Sequence, residues 1–179
     1  VEDLKNKGVD YIFAPSLTYN INENKGDNHY NCPVVAYYPE VIRCNVKMNE
    51  GTKLLSPFLD ISNEKTFPKY FTRQMLSDGI ELRERDVKKA ADLAYKSLYD
   101  YKREVENEGK HIIEVSERGN IPLVVLVGRP YHVDSEINHG IDTLLTSLGA
   151  SIITEDSVSR EEEKFKTMVL NQWTYHSRL

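Results

Sequence analysis

Apolar residues gather along this chain in two rhythms, and the change of rhythm divides it into three stretches. From Gly8 to about Asp60 they come as short runs cut by proline. Tyr11-Ile12-Phe13-Ala14 ends at Pro15, and Thr52-Lys53-Leu54-Leu55-Ser56 ends at Pro57, so each reads as a strand. Pro33-Val34-Val35-Ala36-Tyr37 reads as a further strand. After it, Pro39 suits a first helical position and Gly51 a stop, which predicts a helix over Glu40 to Asn49. Apolar runs alternating with helical patterns predict parallel strands in a layered α/β sheet. Thr18 to Asn31 is rich in Asn, Asp and Gly and has no period, which predicts a long loop of the kind that often carries function.

From about Thr66 to Arg118 the rhythm is helical. Val87, Ala91, Ala94, Leu98, Tyr101 and Val105 follow one another at alternating steps of four and three, which places them on one stripe. The stripe pauses at Glu108-Gly109 and resumes at Ile112, Ile113 and Val115. A continuous helix from Arg85 to Arg118 would be roughly 50 Å long, a length suited to bridging two lobes. From Ile121 the strand rhythm returns. Leu123 to Val127 is apolar at every position, as in the central strand of a parallel sheet, and Gly128-Arg129-Pro130 ends it. Ile137, Ile141, Leu144, Leu145 and Leu148 predict a helix that Gly149 stops, and Ser151 to Thr154 a second strand. Strand, helix and strand make one βαβ unit. The predicted architecture is α/β: the end of one lobe over residues 1–65, a helical connector over 66–120 and the start of a second lobe over 121–179.

Composition narrows the class of protein. The 179 residues are 40% apolar and 28% charged with a net charge of −5, the balance of a globular chain holding one ordinary domain or two small ones. No apolar run approaches the ~18–20 residues of a membrane span, and no signal peptide is recognisable. A mildly acidic chain is a poor match for nucleic acid, whose phosphates need a basic footprint. Cys32 and Cys44 are too few for a disulfide scaffold and point to a reducing, cytoplasmic setting. Val1 opens the chain inside an apparent helix end, and no stop signal precedes Leu179. The expectation is a piece of a longer polypeptide, with Trp173, Tyr175 and Leu179 packing on further chain.

Ligands of open parallel sheets bind beyond the carboxyl ends of the strands. That rule singles out Gly128 to His132, Glu155-Asp156, Pro15-Ser16 and the turn after Tyr37. Arg129, between a strand end and a helix start, suits an anion, and equally suits a tight turn with a surface Arg. His132 and His139 flank the start of the predicted helix. Asn138 and Gly140 have little helical merit there, so that first turn faces either a ligand or solvent. Neither a GxGxxG nor a GxxxxGK[ST] string is present, so dinucleotide and P-loop chemistry have no motif support. His29 and Cys32 are metal-ligand types close in sequence, without a C-x-x-C or H-x-x-x-H pair. Read alone, Cys32 more often serves as a small buried hydrophobe, and Cys44 still more so.

Several strings together carry a resemblance: Asp27-Asn28-His29-Tyr30-Asn31-Cys32-Pro33, Tyr38-Pro39-Glu40-Val41-Ile42, Ser56-Pro57-Phe58-Leu59, Val127-Gly128-Arg129-Pro130-Tyr131-His132, Glu136-Ile137-Asn138-His139-Gly140, Thr154-Glu155-Asp156-Ser157 and Asn171-Gln172-Trp173-Thr174-Tyr175-His176. In this order they resemble the CoA-substrate-specific enzyme activase-related proteins of anaerobic bacteria, a module similar to the subunits of 2-hydroxyacyl-CoA dehydratases and benzoyl-CoA reductases. The resemblance implies two Rossmann-like or flavodoxin-like lobes, here incomplete, and a [4Fe–4S] cluster held by cysteines from strand-end loops. It implies Cys32 as a cluster ligand, with the other ligands outside this chain and no cluster expected on the chain alone. It further implies Arg129 and His132 as contacts for an anion or an acyl-CoA. The implied partner is an activase-type ATPase, and the implied role an electron-accepting, dehydratase-like module in an ATP-driven acyl-CoA dehydratase or reductase system. Many relatives have Pro-Cys where this chain has Pro15-Ser16, and serine is a poor iron ligand. Two other roles stay open. One is a non-catalytic docking or regulatory module for an ATPase or partner subunit, and the other a small-molecule domain with an anion site at Gly128-Arg129.

Overall fold

The computed structural model describes residues 1–24, 26–134 and 136–158. It is an α/β protein whose strands pair in parallel and whose longest element is a single helix. The described residues fall into two units, one of Val1–Tyr95 and one that begins at Lys96. Trp173, Tyr175, Leu179 and the string Asn171 to His176 lie outside the described residues.

After a short helix α1 (Glu2–Asn6), the first unit is built on strands β1 (Tyr11–Phe13), β2 (Ser16–Tyr19), β3 (Lys53–Leu55) and β4 (Phe58–Asp60). β1 pairs with β3 and β2 with β4, both in parallel. One register runs through both pairs as far as Leu17: Tyr11 faces Lys53, Phe13 faces Leu55, Ser16 faces Phe58 and Leu17 faces Leu59, after which it shifts by one residue so that Tyr19 faces Asp60. The break between them falls where Pro15 and Pro57 stand, residues that have no N–H to give a ladder. Ala14 N donates to Leu55 O at 2.8 Å and Ser16 N to Pro57 O at 2.9 Å, so the pairing resumes at once. The prolines therefore interrupt the strands and do not end them, and the expected strand ends at Ala14 and Ser56 move on to Tyr19 and Asp60.

The expected strand Pro33–Tyr37 is instead the start of helix α2 (Pro33–Asn45), with Cys32 as its N-cap residue. Pro33 sits where a helix has no need of an N–H. Ala36 and Pro39, three apart, are buried, whereas Val34, Val35, Tyr37 and Tyr38 are exposed. That is helical spacing, and tertiary packing of this face prevails over the β propensity of the valines. Pro39 lies inside the helix and not at its start, and the expected stop near Gly51 is replaced by an extended Val46. α2 packs on β2 and α3 (Phe67–Ser77) on β4. Ile12, Leu55, Leu59, Ala36 and Met75 form the core. The expected loop Thr18–Asn31 folds back on its own strand: Tyr19 bridges Tyr30, and Asn20 N donates to His29 O at 3.0 Å.

Helix α4 runs unbroken over Glu84–Gly119, 36 residues. Ala91 and Tyr95 are buried in the first unit, where the Tyr95 hydroxyl donates to Ile61 O at 3.1 Å. In the second unit the interruption of the stripe at Gly109 has a cause. A Cβ there would stand 2.6 Å from Ser157 Cβ. The second unit pairs β5 (Leu123–Leu126) in parallel with β6 (Ser151–Thr154). Leu123 and Val125 are exposed while Val124 and Leu126 are half-buried, so β5 has one covered face among the described residues, not the two expected. Helix α5 spans Ile141–Ser147 and packs on β6. It begins later than Ile137 because side chains there bond to nearby backbone and compete with a helix. Asp134 Oδ1 accepts from Glu136 N at 2.9 Å, and Asn138 Oδ1 from Gly140 N at 2.8 Å. Among the described residues no helix is long and apolar enough to cross a membrane.

Candidate functional site

In the second unit a cavity of about 300 Å³ opens beyond the carboxyl ends of β5 and β6. Gly128 and Arg129 follow β5 directly, and Glu155 follows β6. Apolar Leu126, Val133, Ile137 and Ile141 line it together with Arg129, His132, His139 and Glu155. The turn after β5 is built around one imidazole. Pro130–Val133 forms a single 3-10 turn in which His132 N donates to Arg129 O at 2.8 Å. Arg129 N donates in return to His132 Nδ1 at 3.0 Å. A ring nitrogen that accepts carries no proton, so the neutral imidazole bears its hydrogen on Nε2. The Tyr131 ring and that imidazole meet nearly at right angles, with centroids 4.5 Å apart.

Gly128 makes this arrangement possible. A Cβ on it would stand 2.3 Å from His132 Nδ1, well inside contact distance, so any larger residue displaces the ring. The Gly-Arg-Pro-Tyr-His string is thus one device: the glycine admits the imidazole, the imidazole closes the turn, and the backbone of Arg129 is held at the rim of the cavity. Arg129 and His132, singled out in the sequence, line this cavity together. At the end of β6 the cavity residue is Glu155, which is 8% exposed and buried for a carboxylate. Its neighbour Asp156 instead accepts a short hydrogen bond from Thr154 Oγ1. His139, held at a positive φ of 55°, and Asn138 join the lining through the turn that displaces the expected helix start.

Cys32 belongs to the first unit. Asn31 anchors the chain just before it, donating from its N–H to Thr18 O and from Nδ2 to Leu17 O, each at 3.0 Å. Cys32 is half-buried and Cys44 exposed. A [4Fe–4S] cluster takes about four thiolates at one place. Cys32 and Cys44, the two cysteines of the chain, flank and end α2, roughly 18 Å apart along its axis. Among the described residues no group of three or more His, Cys, Asp or Glu side chains gathers as metal ligands would. Ser16 lies within the ladder, wholly buried, its Oγ without a partner among the described residues. Cys32 is thus a single thiolate at the start of α2, one donor of the about four that such a cluster takes.

One cavity escaped the strand-end rule because the strand ends were misplaced. Beyond the true carboxyl ends of β2 and β4, about 320 Å³ is enclosed by residues that include Tyr19, Asp60, Phe67 and Tyr70. The signal in the sequence was Asp60-Ile61-Ser62, a strand end followed by a side chain able to bond two residues on.

No curated protein and no solved structure matches the chain. A family model does, over residues 1–158 of the 179. The chain belongs to the family described as the CoA enzyme activase uncharacterised domain (DUF2229).

Proposed function

We propose that this chain is a dehydratase-like, acyl-CoA-binding module of an ATP-driven activase system. The observation that carries the proposal is the cavity beyond β5 and β6, where an apolar wall meets Arg129 and a His132 whose Nε2 is a donor. Binding pockets for drug-sized ligands span ~300–1,000 Å³, and this one is at the small end. It suits the acyl and thioester end of a CoA derivative and is too small for the nucleotide as well. Val133, Ile137 and Ile141 would hold an acyl chain by excluding water from it. The Arg129 guanidinium, a charged donor, would face the thioester carbonyl oxygen, giving a charge-assisted contact.

Electron acceptance by an iron–sulfur centre would draw one thiolate from this chain, Cys32, and its other ligands from outside it, and no step is assigned to it. Within an activase system the partner is an ATPase of the activase type. The module's own contribution is to bind and orient the thioester.

The test is calorimetric titration of the chain with butyryl-CoA. Saturable heat is expected, weakened about tenfold by Arg129→Gln through loss of a charge-assisted contact. Gly128→Ala should weaken it as well, because the displaced imidazole releases the Arg129 turn. No heat with the wild-type chain, or equal affinity in both variants, would remove the cavity from substrate binding.

A further inference from the structure

The first unit carries a cavity of a different chemical character, and its residues all lie between Thr18 and Tyr70. It opens where β2 and β4 end, about 320 Å³ in volume. Tyr19, Phe58, Phe67 and Tyr70 give it aromatic walls. Asp60 is the one charged residue among its described lining, which contains no Lys, Arg or His. Its two threonine hydroxyls are committed elsewhere, Thr18 Oγ1 to Leu59 O at 3.2 Å and Thr66 Oγ1 to Asn63 O at 3.4 Å.

The carboxylate is held by one oxygen and open at the other. Asp60 Oδ1 accepts from Ser62 N at 2.8 Å and from Ser62 Oγ at 2.6 Å, which fixes the rotamer. Oδ2 has no donor among the described residues. The negative charge of Asp60 is felt by the neighbouring phenol of Tyr19, as one of the influences that keep that phenol protonated. A pre-oriented carboxylate oxygen beside several aromatic rings matches a positive charge with an apolar outer surface. Ring faces attract such a charge through their quadrupole, and a carboxylate adds a direct Coulomb partner. An anion would meet Asp60 unscreened, and a neutral apolar ligand would leave its Oδ2 unpaired.

We propose that this cavity binds a small organic cation, an ammonium group carrying alkyl substituents. The proposal rests on first-unit residues alone and is independent of acyl-CoA binding in the second unit. Choline is the probe, followed by calorimetry and by saturation-transfer NMR of its methyl groups. Saturable binding is expected, falling with added salt as a partly screened charge contact does. Asp60→Asn keeps an oxygen for Ser62 and removes the charge, and should weaken choline about tenfold or more. Tyr70 is 41% exposed, so Tyr70→Leu leaves the fold intact, and it should weaken choline about threefold. The neutral carbon isostere of choline should not bind. Absence of saturable binding by the wild-type chain, equal binding of the isostere, or choline affinity unchanged in both variants would overturn the assignment.

Discussion

Replacing Ser16 with alanine should make this protein more stable, contrary to the usual effect of truncating a fully buried residue. Ser16 has 0% exposure, and its Oγ finds no partner among the described residues. A buried hydroxyl left unpaired costs ~1–3 kcal/mol of desolvation. Removing it leaves a void of about 10 Å³, and at ~24 cal/mol per Å³ that offsets only about 0.2 kcal/mol. The net expectation is a gain of about 1 kcal/mol or more. Ser16 N pairs with Pro57 O and Ala14 N with Leu55 O across the ladder, so these two amides report the change locally. Their hydrogen exchange should slow about fivefold for each kcal/mol gained, where exchange proceeds by opening of the unit. The urea midpoint should rise in step. Faster exchange at Ala14 and a lower midpoint in Ser16→Ala would mean that the hydroxyl is satisfied in solution, and the account of this site would fail.

Two further outcomes test neighbouring arguments. Gly109→Ala gains ~1 kcal/mol of helix propensity, but its Cβ would stand 2.6 Å from Ser157 Cβ and 2.7 Å from Ser157 Oγ. Overpacking of ~1–3 kcal/mol should prevail and lower the thermal midpoint, and Ser157→Gly in the same chain should restore it; a midpoint raised by Gly109→Ala alone would show that the turn yields. The Tyr19 phenol is kept protonated above the ordinary tyrosine range chiefly by its hydrogen bond with Tyr30, then by desolvation and by the charges of Tyr30, Asp60 and Tyr37. The folded chain thus holds a proton that the unfolded chain releases, and this contribution to stability, complete below about pH 10, is lost as pH rises through the raised value. Tyr30→Phe should move the Tyr19 titration, followed by ultraviolet absorbance or NMR, back toward the ordinary range. An unmoved titration would mean that the hydrogen bond is not the main cause.

Much of the second unit was legible because its signals agree with one another. Leu123 to Leu126, Ile141 to Ser147 and Ser151 to Thr154 are apolar at the period of the element they form, and Gly128 and Gly149 punctuate them. Arg129 and His132 were found by position alone, since they follow the first strand of a parallel pair. The first unit was harder to read because proline served two purposes there. At Pro15 and Pro57 it interrupts a ladder that continues, and at Pro39 it lies within a helix that continues. Proline read as a terminator therefore shortened both strands and delayed the helix. Val34 and Val35 compounded the error, because β propensity reports fit to a pleated surface, and these two side chains are on the exposed side of α2. The cue in favour of the helix was Ala36 and Pro39, three apart and the least bulky residues of the run.

That error explains why the strand-end rule singled out Pro15-Ser16. A residue placed in a strand-end loop is available to a ligand, and a resemblance that puts cysteine there invites a metal. A residue inside the ladder, three positions before the strand ends at Tyr19, presents its side chain to the core. The same rule of strand ends, applied to the observed ends, leads to Tyr19 and Asp60 in the first unit and to Gly128, Arg129 and Glu155 in the second. Both cavities follow from parallel pairing, since strands that run together also stop together and leave their following turns side by side. What each cavity can bind is set by the few residues after the stop: a guanidinium, an imidazole donor and the buried Glu155 around an apolar wall in one, a carboxylate among aromatic rings in the other. The fold therefore supplies the position of a site, and the turn residues supply its chemistry, which is why two different ligand classes are assigned to two cavities of one construction.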